Sequence, residues 1–392
     1  MRHAADSMPP AAGCRDAPVM PAVPAARDGG DSSRTATSGV HLGLTASSAV
    51  VKFRATVIAA LPAVLPHLIS RSPMANPLPP ILHQAYFLRI TNIAPHHPVF
   101  EVIWNDVPGQ PDRIFIVKGD EGSAESVGSA YGMMRDVARG ARARLLDAQE
   151  RKFFFAAGEK DSVADAMTKA YLSTLKPAPY QWVLMGHKAA LLELDKVLKA
   201  QDAGTAALML ACLKDNENLQ RLGAILAVDM FTNNTDRFEV LPGQKGIANT
   251  GNVFFVRKAS GDLRIKGLDP FDYTKSKALL ETVVTSTKDH TNAGWWSGIM
   301  LKKEAELERV AKNACASLST ELGSILRSNG YAEVVIRQLT LDENHVKIVV
   351  KSMKLTREDI KNSCMAKLAR TDLNAQVRTG LHSRMQALGW AK

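Results

Sequence analysis

Three early runs of the chain alternate apolar and polar residues with a period of two: QAYFLRIT (84–91), PVFEVIW (98–104) and DRIFIVK (112–118). The turn-rich stretches NIAPHHP and NDVPGQPD separate them, so the spacing predicts an antiparallel meander. Residues 122–148 change to a helical period, with Val127, Met134, Ala138 and Leu145 on successive turns. One more short apolar strand is predicted at YQWVLM (180–185). Beyond it the pattern is mainly helical, over 187–200, 203–214 and 217–231, where Leu219, Leu222, Leu226 and Met230 form one stripe. A polar loop, NNTDRFEVLPGQKGIANTG, then leads into two strands, NVFFV (252–256) and LRIKGLD (263–269), joined by RKASGD. Residues 301–327 and 356–390 are predicted to be helical, while HVKIVV (345–350) is ambiguous between strand and helix.

This order predicts an α+β protein with a small β-rich part at 81–186, a larger helical part at 187–330 and a helical extension at 331–392. Residues 1–80 stand apart. They hold eleven of the 19 prolines and little patterned hydrophobicity, so about 1–50 is expected to be disordered. The apolar run FRATVIAALPAVLPHLI (53–69) carries Arg54, Pro62 and Pro66 and falls short of the ~20 residues of a membrane span. No transmembrane insertion is expected. Met74 opens MANPLPP just before the patterned sequence, so residues 1–73 read as a targeting region or an over-extended start. Action in the cytoplasm is expected, or in a host cell if the N-terminal region is a secretion signal.

The chain has 392 residues, 49 Lys+Arg against 39 Asp+Glu, and a formal net charge of +10. The basic balance suits an anionic partner such as a nucleotide, an anionic lipid or an acidic protein surface. Aromatic residues are only 6%, which argues against a stacking platform for nucleic acid, and no nucleic-acid partner is expected. Cys14, Cys212, Cys315 and Cys364 stand far apart, which disfavours a zinc site or disulfide scaffold. Cys212 lies on an apolar helical pattern and reads as core. The basic stretch ARGARAR (138–144) reads as a solvated helix face, and Trp295-Trp296 as a packed pair. His187 and His290 lack partners at a useful spacing.

Three segments carry candidate chemistry. Alternation puts Ile114, Ile116 and Lys118 on one strand face, so Lys118 is either a solvated strand end or a cation aimed into a cleft. In VDMFTNNTDRF (228–238) a long apolar helix delivers the chain into Asn233, Asn234, Thr235, Asp236 and Arg237; such clusters often only cap a helix. Asn252 opens one strand and Asp269 closes its neighbour, an oxygen-rich pair suited to Mg²⁺ with bound phosphates. Taken singly, each has an ordinary structural reading. In order, a strand lysine, a loop Asp, a downstream Asn and a later Asp are what phosphoryl transfer from ATP uses in kinases.

Asp229, Asn234-Thr235-Asp236-Arg237, Gly251-Asn252 and Leu268-Asp269 together resemble the catalytic signature of the atypical kinases. That group includes the phosphoinositide 3/4-kinases and the actin-fragmin kinase. The long insertion between Asp236-Arg237 and Gly251-Asn252 is most similar to the actin-fragmin kinase catalytic domain, over about residues 82–330. The resemblance implies a bilobal protein-kinase-like fold, ATP and Mg²⁺ as cofactors, and a protein Ser/Thr hydroxyl as acceptor, cytoskeletal proteins included. It implies Asp236 as the catalytic Asp, with Arg237 beside it among the catalytic residues. Lys118 becomes the phosphate-binding lysine, and Asn252 and Asp269 the metal ligands. Asn249 and Asp272 are alternatives to the last two. Glu125 is the candidate to pair with Lys118, and backbone groups near Val183–Met185 become the hinge that reads adenine. The loop NIAPHHP has no glycine; His96 or His97 would meet phosphate there. A phosphoinositide acceptor, or an inactive relative acting as a binding module, remains the alternative.

Overall fold

The three alternating runs form strands with the expected antiparallel pairing: β1 (Phe87–Asn92), β2 (Val99–Trp104) and β3 (Arg113–Glu121). The computed structural model describes residues 82–392 except 95–96, 176–179, 187–190, 242–245, 259 and 271–296. The N-terminal 1–80 region, His96, His187, Asp272, His290 and the Trp295-Trp296 pair therefore lie outside the described residues. Strand β4 (Ala143–Leu145) and strand β5 (Tyr180–Gly186) complete a five-stranded antiparallel sheet in the order β1-β2-β3-β5-β4.

The two faces of this sheet do different things, as the period of two requires. One face carries Phe100, Phe115, Val117 and Trp182 into a core with Phe154 and Leu172. Those last two come from helix α2 (Ala148–Gly158) and helix α3 (Ala166–Thr174). The other face carries Ile116 toward the second core, with Lys118 and Asp120 continuing it. Helix α1 (Ala124–Asp136) covers this second face. It starts where Ser123 Oγ accepts the Ser126 N–H, and buries Val127, Ala130, Tyr131 and Met134.

The helix expected over 122–148 thus ends at Asp136. Arg139 takes a left-handed φ of 51°, which breaks the helix. The basic stretch 138–144 is no solvated helix face: Ala138, Ala141 and Ala143 are buried, and Arg144 pairs with the buried Glu150. At Gly140 a Cβ would lie 2.7 Å from the Gly267 carbonyl, so glycine lets this turn touch the strand that leads to Asp269.

The C-terminal side is mainly helical. A small sheet of strands β6 (Leu191–Glu193), β7 (Phe254–Arg257) and β8 (Leu263–Lys266), in that order, lies among the helices. The helices are α4 (Leu194–Ala200), α5 (Ala203–Leu213), α6 (Asn216–Thr232), α7 (Glu304–Ser328), α8 (Glu333–Leu339), α9 (Glu343–Leu368) and α10 (Ala375–Ala387). From Leu222 to Thr232 every residue of α6 is buried. At Gly223 a Cβ would come within 2.5 Å of the Val349 carbonyl, so glycine admits the close crossing of α6 and α9.

Residues 331–392 are therefore no extension. Val346, Val349, Met353 and Ile360 of α9 and Leu381 and Met385 of α10 belong to the same core as α6. The ambiguous HVKIVV is helical. Its Val346 and Val349 face inward three residues apart, and Asp342 and His345 form a capping box at the helix start. Cys212, Cys315 and Cys364 are buried free thiols, pushed up to about 12 by burial. Among the described residues no helix is long and apolar enough to cross a membrane.

Candidate active site

Helix α6 ends at Asn233, which adopts φ 58°, a left-handed conformation asparagine tolerates. Its side-chain oxygen accepts the Ser297 N–H at 2.9 Å. Asn233 is thus ordinary helix-end chemistry, but the residues after it do more. Asn234 is buried and its amide bridges three groups. Its nitrogen donates to Asp229 Oδ1 at 3.1 Å and to the Asp269 carbonyl at 2.8 Å; its oxygen accepts the Asp236 N–H at 3.2 Å.

Beneath this lies a buried ion pair. Arg237 Nη1 donates to both carboxylate oxygens of Asp229 at 2.7 Å, and both side chains are essentially inaccessible. Burial pushes the Asp229 carboxyl up to about 6 against the pull of Arg237. The remaining Arg237 donors reach backbone: Nε to the Asn252 carbonyl at 2.9 Å and Nη2 to the Asp269 carbonyl. One guanidinium therefore ties the helix end, the start of β7 and the segment after β8. The expectation of Arg237 as a catalytic residue is corrected on this point. It is 1% exposed and its donors are committed to scaffold acceptors, so it holds the site rather than facing a substrate.

Above the scaffold the candidate groups are half-exposed. Asn252 Nδ2 donates to Asp236 Oδ2 at 2.6 Å, and Asn249 Nδ2 reaches Asp236 Oδ1 at 3.4 Å. The two asparagines weighed as alternatives are thus both on Asp236, Asn252 the closer. Asp269 Oδ2 accepts from Lys118 Nζ at 2.5 Å, a contact spanning 151 residues of sequence. Lys118, Asp236, Asn252 and Asp269, scattered along the chain, are gathered in one connected network.

Lys118 also pairs with Asp120 Oδ1 at 3.0 Å. Asp120 Oδ2 in turn accepts from Tyr131 Oη of α1 at 2.6 Å. Burial pushes the Lys118 ammonium down, but the carboxylates of Asp120 and Asp269 outweigh it and raise it above the ordinary lysine value. Burial likewise raises the Asp120 carboxyl, and burial together with Asp120 raises the Tyr131 phenol well above its ordinary value. Asp120 and Tyr131 were missed by sequence reasoning. The signal was available: the alternation that placed Lys118 on the cleft face places Asp120 there too.

Glu125 does not pair with Lys118. It lies six residues before Tyr131, about 120° away around the helix. It faces the other way, lining a cavity of about 340 Å³ with Lys367 of α9 and Arg370 of the connection after it. Lys367 donates there to Ser129 Oγ. The hinge expectation is also corrected. Val183 sits between Lys118 of β3 and Leu145 of β4, and Met185 between Ile116 and Ala143. The Gly186 N–H bonds the Arg142 carbonyl at 3.0 Å. Val183–Met185 is inside the sheet and its backbone does not face a cleft edge. At the start of β2, Val99 pairs with Lys118 and the Gly119 N–H donates to the Pro98 carbonyl at 2.8 Å.

The donor set is oxygen-only. Asn252 Nδ2 is committed to Asp236, so its amide oxygen and the Asp269 carboxylate are the atoms a cation would meet. Such a pair fits Mg²⁺, which keeps waters and takes one or two protein oxygens with phosphate. Among the described residues no cluster of three His, Cys, Asp or Glu is arranged to hold a metal alone. No protein-family model matches the chain, and comparison with curated proteins gives no match.

Proposed function

We propose that this protein is an atypical kinase of bilobal fold, similar to the actin-fragmin kinase, that transfers the γ-phosphoryl group of ATP to a protein Ser/Thr hydroxyl. The observation that carries the reading is the junction of two pairs, Lys118–Asp269 at 2.5 Å and Asp236–Asn252 at 2.6 Å, through the Asn234 amide. The first of these pairs joins a lysine of the five-stranded sheet to a carboxylate 151 residues later in the chain.

Each residue's part follows from its environment. Lys118 holds its proton and offers a fixed positive charge to phosphate oxygens. Asp236, half-exposed and oriented by Asn252 and by the Asn234 amide, accepts the proton of the acceptor hydroxyl. Asn252 and Asp269 present oxygen to a divalent ion. A bound Mg²⁺–ATP would supply the transferable group and neutralise its developing charge. Arg237 and Asn234 keep these groups in register, because positioning supplies much of the catalysis in phosphoryl transfer.

The test is incubation with γ-labelled ATP, Mg²⁺ and a mixed lysate plus a phosphoinositide panel. Label in protein, lost in Asp236→Ala with the fold retained, is the expected result. Label in lipid alone would replace the acceptor class. No Asp236-dependent label in either would leave a binding module.

A further inference from the structure

We propose that Asp120, steadied by Tyr131, is the positioning residue of Lys118, the part the resemblance would give to Glu125. The assignment of Lys118 to phosphate rests on the kinase reading; the placement of Lys118 by Asp120 does not.

Lys118 has two carboxylate partners in the described structure, and they differ in character. Asp269 lies on the segment after β8, is 26% exposed along its side chain, and is the carboxylate a divalent ion would draw away. Asp120 is 4% exposed and lies two residues along the same strand. Its position relative to Lys118 is fixed by the pleat rather than by the approach of another element. Its second oxygen accepts from Tyr131 Oη at 2.6 Å, so a second element holds the carboxylate in place. Were Asp269 drawn to a divalent ion, Asp120 would keep the ammonium in the cleft.

A consequence separates this chain from a lysine held by a helix glutamate. The counter-ion and the lysine share one strand, so no movement of α1 can part them. Helix α1 contributes only the Tyr131 hydroxyl, and Glu125 is left to face Lys367 and Arg370.

The experiment reads Lys118 directly. The full-length chain is treated with limiting acetic anhydride across pH 7–10, and acetylation of Lys118 is measured by mass spectrometry against an exposed lysine such as Lys196. Asp120→Asn removes the buried carboxylate that holds the Lys118 amine in place. The labelling rate of Lys118 relative to Lys196 should rise severalfold as the amine is released from that ion pair. Tyr131→Phe should give a smaller rise in the same direction, and Glu125→Gln none. An unchanged rate in folded Asp120→Asn overturns the proposal, as does an equal rise in Glu125→Gln. If Asp120→Asn does not fold, an unchanged rate in Tyr131→Phe overturns it. The labelling needs no catalysis, so absence of phosphoryl transfer in the wild type would defeat the kinase reading and leave this result to stand by itself.

Discussion

The strand end around Lys118 and the loop around Arg237 both bury a cation against an acid, yet they are built for different ends. Arg237 is sealed: it clamps Asp229 from both oxygens and spends its other donors on the backbone carbonyls of Asn252 and Asp269. Lys118 is only partly covered, 14% exposed along its side chain, and its partners are side-chain carboxylates alone. A cation bound to backbone fixes the chain's path. Lys118 has one partner fixed on its own strand, Asp120, and one on another segment, Asp269, that can be exchanged. The site thus reads as a rigid clamp under an exchangeable pair, and burial distinguishes them better than residue type.

The harshest way to break that contrast is to remove the clamp. Arg237→Ala strands the Asp229 carboxylate without its partner. It should destabilise the protein by about 3–5 kcal/mol in chemical denaturation and abolish any transfer activity. Were Arg237→Ala as stable as wild type, the clamp would be no clamp.

Next in size is Lys118→Met, which should weaken productive Mg²⁺–ATP binding while the loop keeps its fold. Its pH dependence has a definite sign. Lys118 is raised in the folded state above its ordinary 10.5, so the stability its charge contributes is fully present below 10.5. That contribution is lost only as pH rises through the folded value. The margin of wild type over Lys118→Met should stay flat from pH 7 to 10 in denaturation curves.

Asp229 is raised as well, but its window lies lower. Its carboxyl stands at about 6 when folded against 3.8 ordinarily, so the folded state takes the proton more readily than the unfolded chain. Between those values, protonation of Asp229 favours the fold, and the stability tied to it falls as pH rises through the window. Activity should move the other way. It should decline as pH falls through about 6, because protonated Asp229 no longer neutralises Arg237. A pH–rate profile beside a pH–stability profile checks both signs.

The smallest effect sharpens the comparison from outside. Glu125→Gln should change stability and nucleotide response by less than about 0.5 kcal/mol, as expected for a residue away from the buried networks.

How much of this was legible in sequence follows from periodicity. The strands around Lys118 and the stripe of α6 carry patterns longer than a few residues, and they formed where expected; the hairpin formed as Phe254–Arg257 and Leu263–Lys266, which leaves Asn252 in the turn before it and Asp269 in the segment after it, not at the strand ends as expected. β4 and β6 are three residues long and carry no period. The break after Asp136 depends on Arg139 adopting a left-handed φ, which composition does not signal. Glu125 was the candidate because it is an acid near the start of the helix after the lysine strand, but that position does not say which way a side chain faces. Arg237 was named beside Asp236 because they are adjacent, and adjacency conceals that one is buried and the other half-exposed. The hinge was placed within β5 since nothing in the sequence announces that β4 covers its outer edge.

The most direct measurement is Mg²⁺-dependent transfer from γ-labelled ATP by wild type and by Asp236→Asn, with matched thermal denaturation of both. The account predicts label transfer by the wild type, reduced about 100- to 10,000-fold in a variant that melts alike. Equal transfer by the two proteins, or none by either, would contradict it.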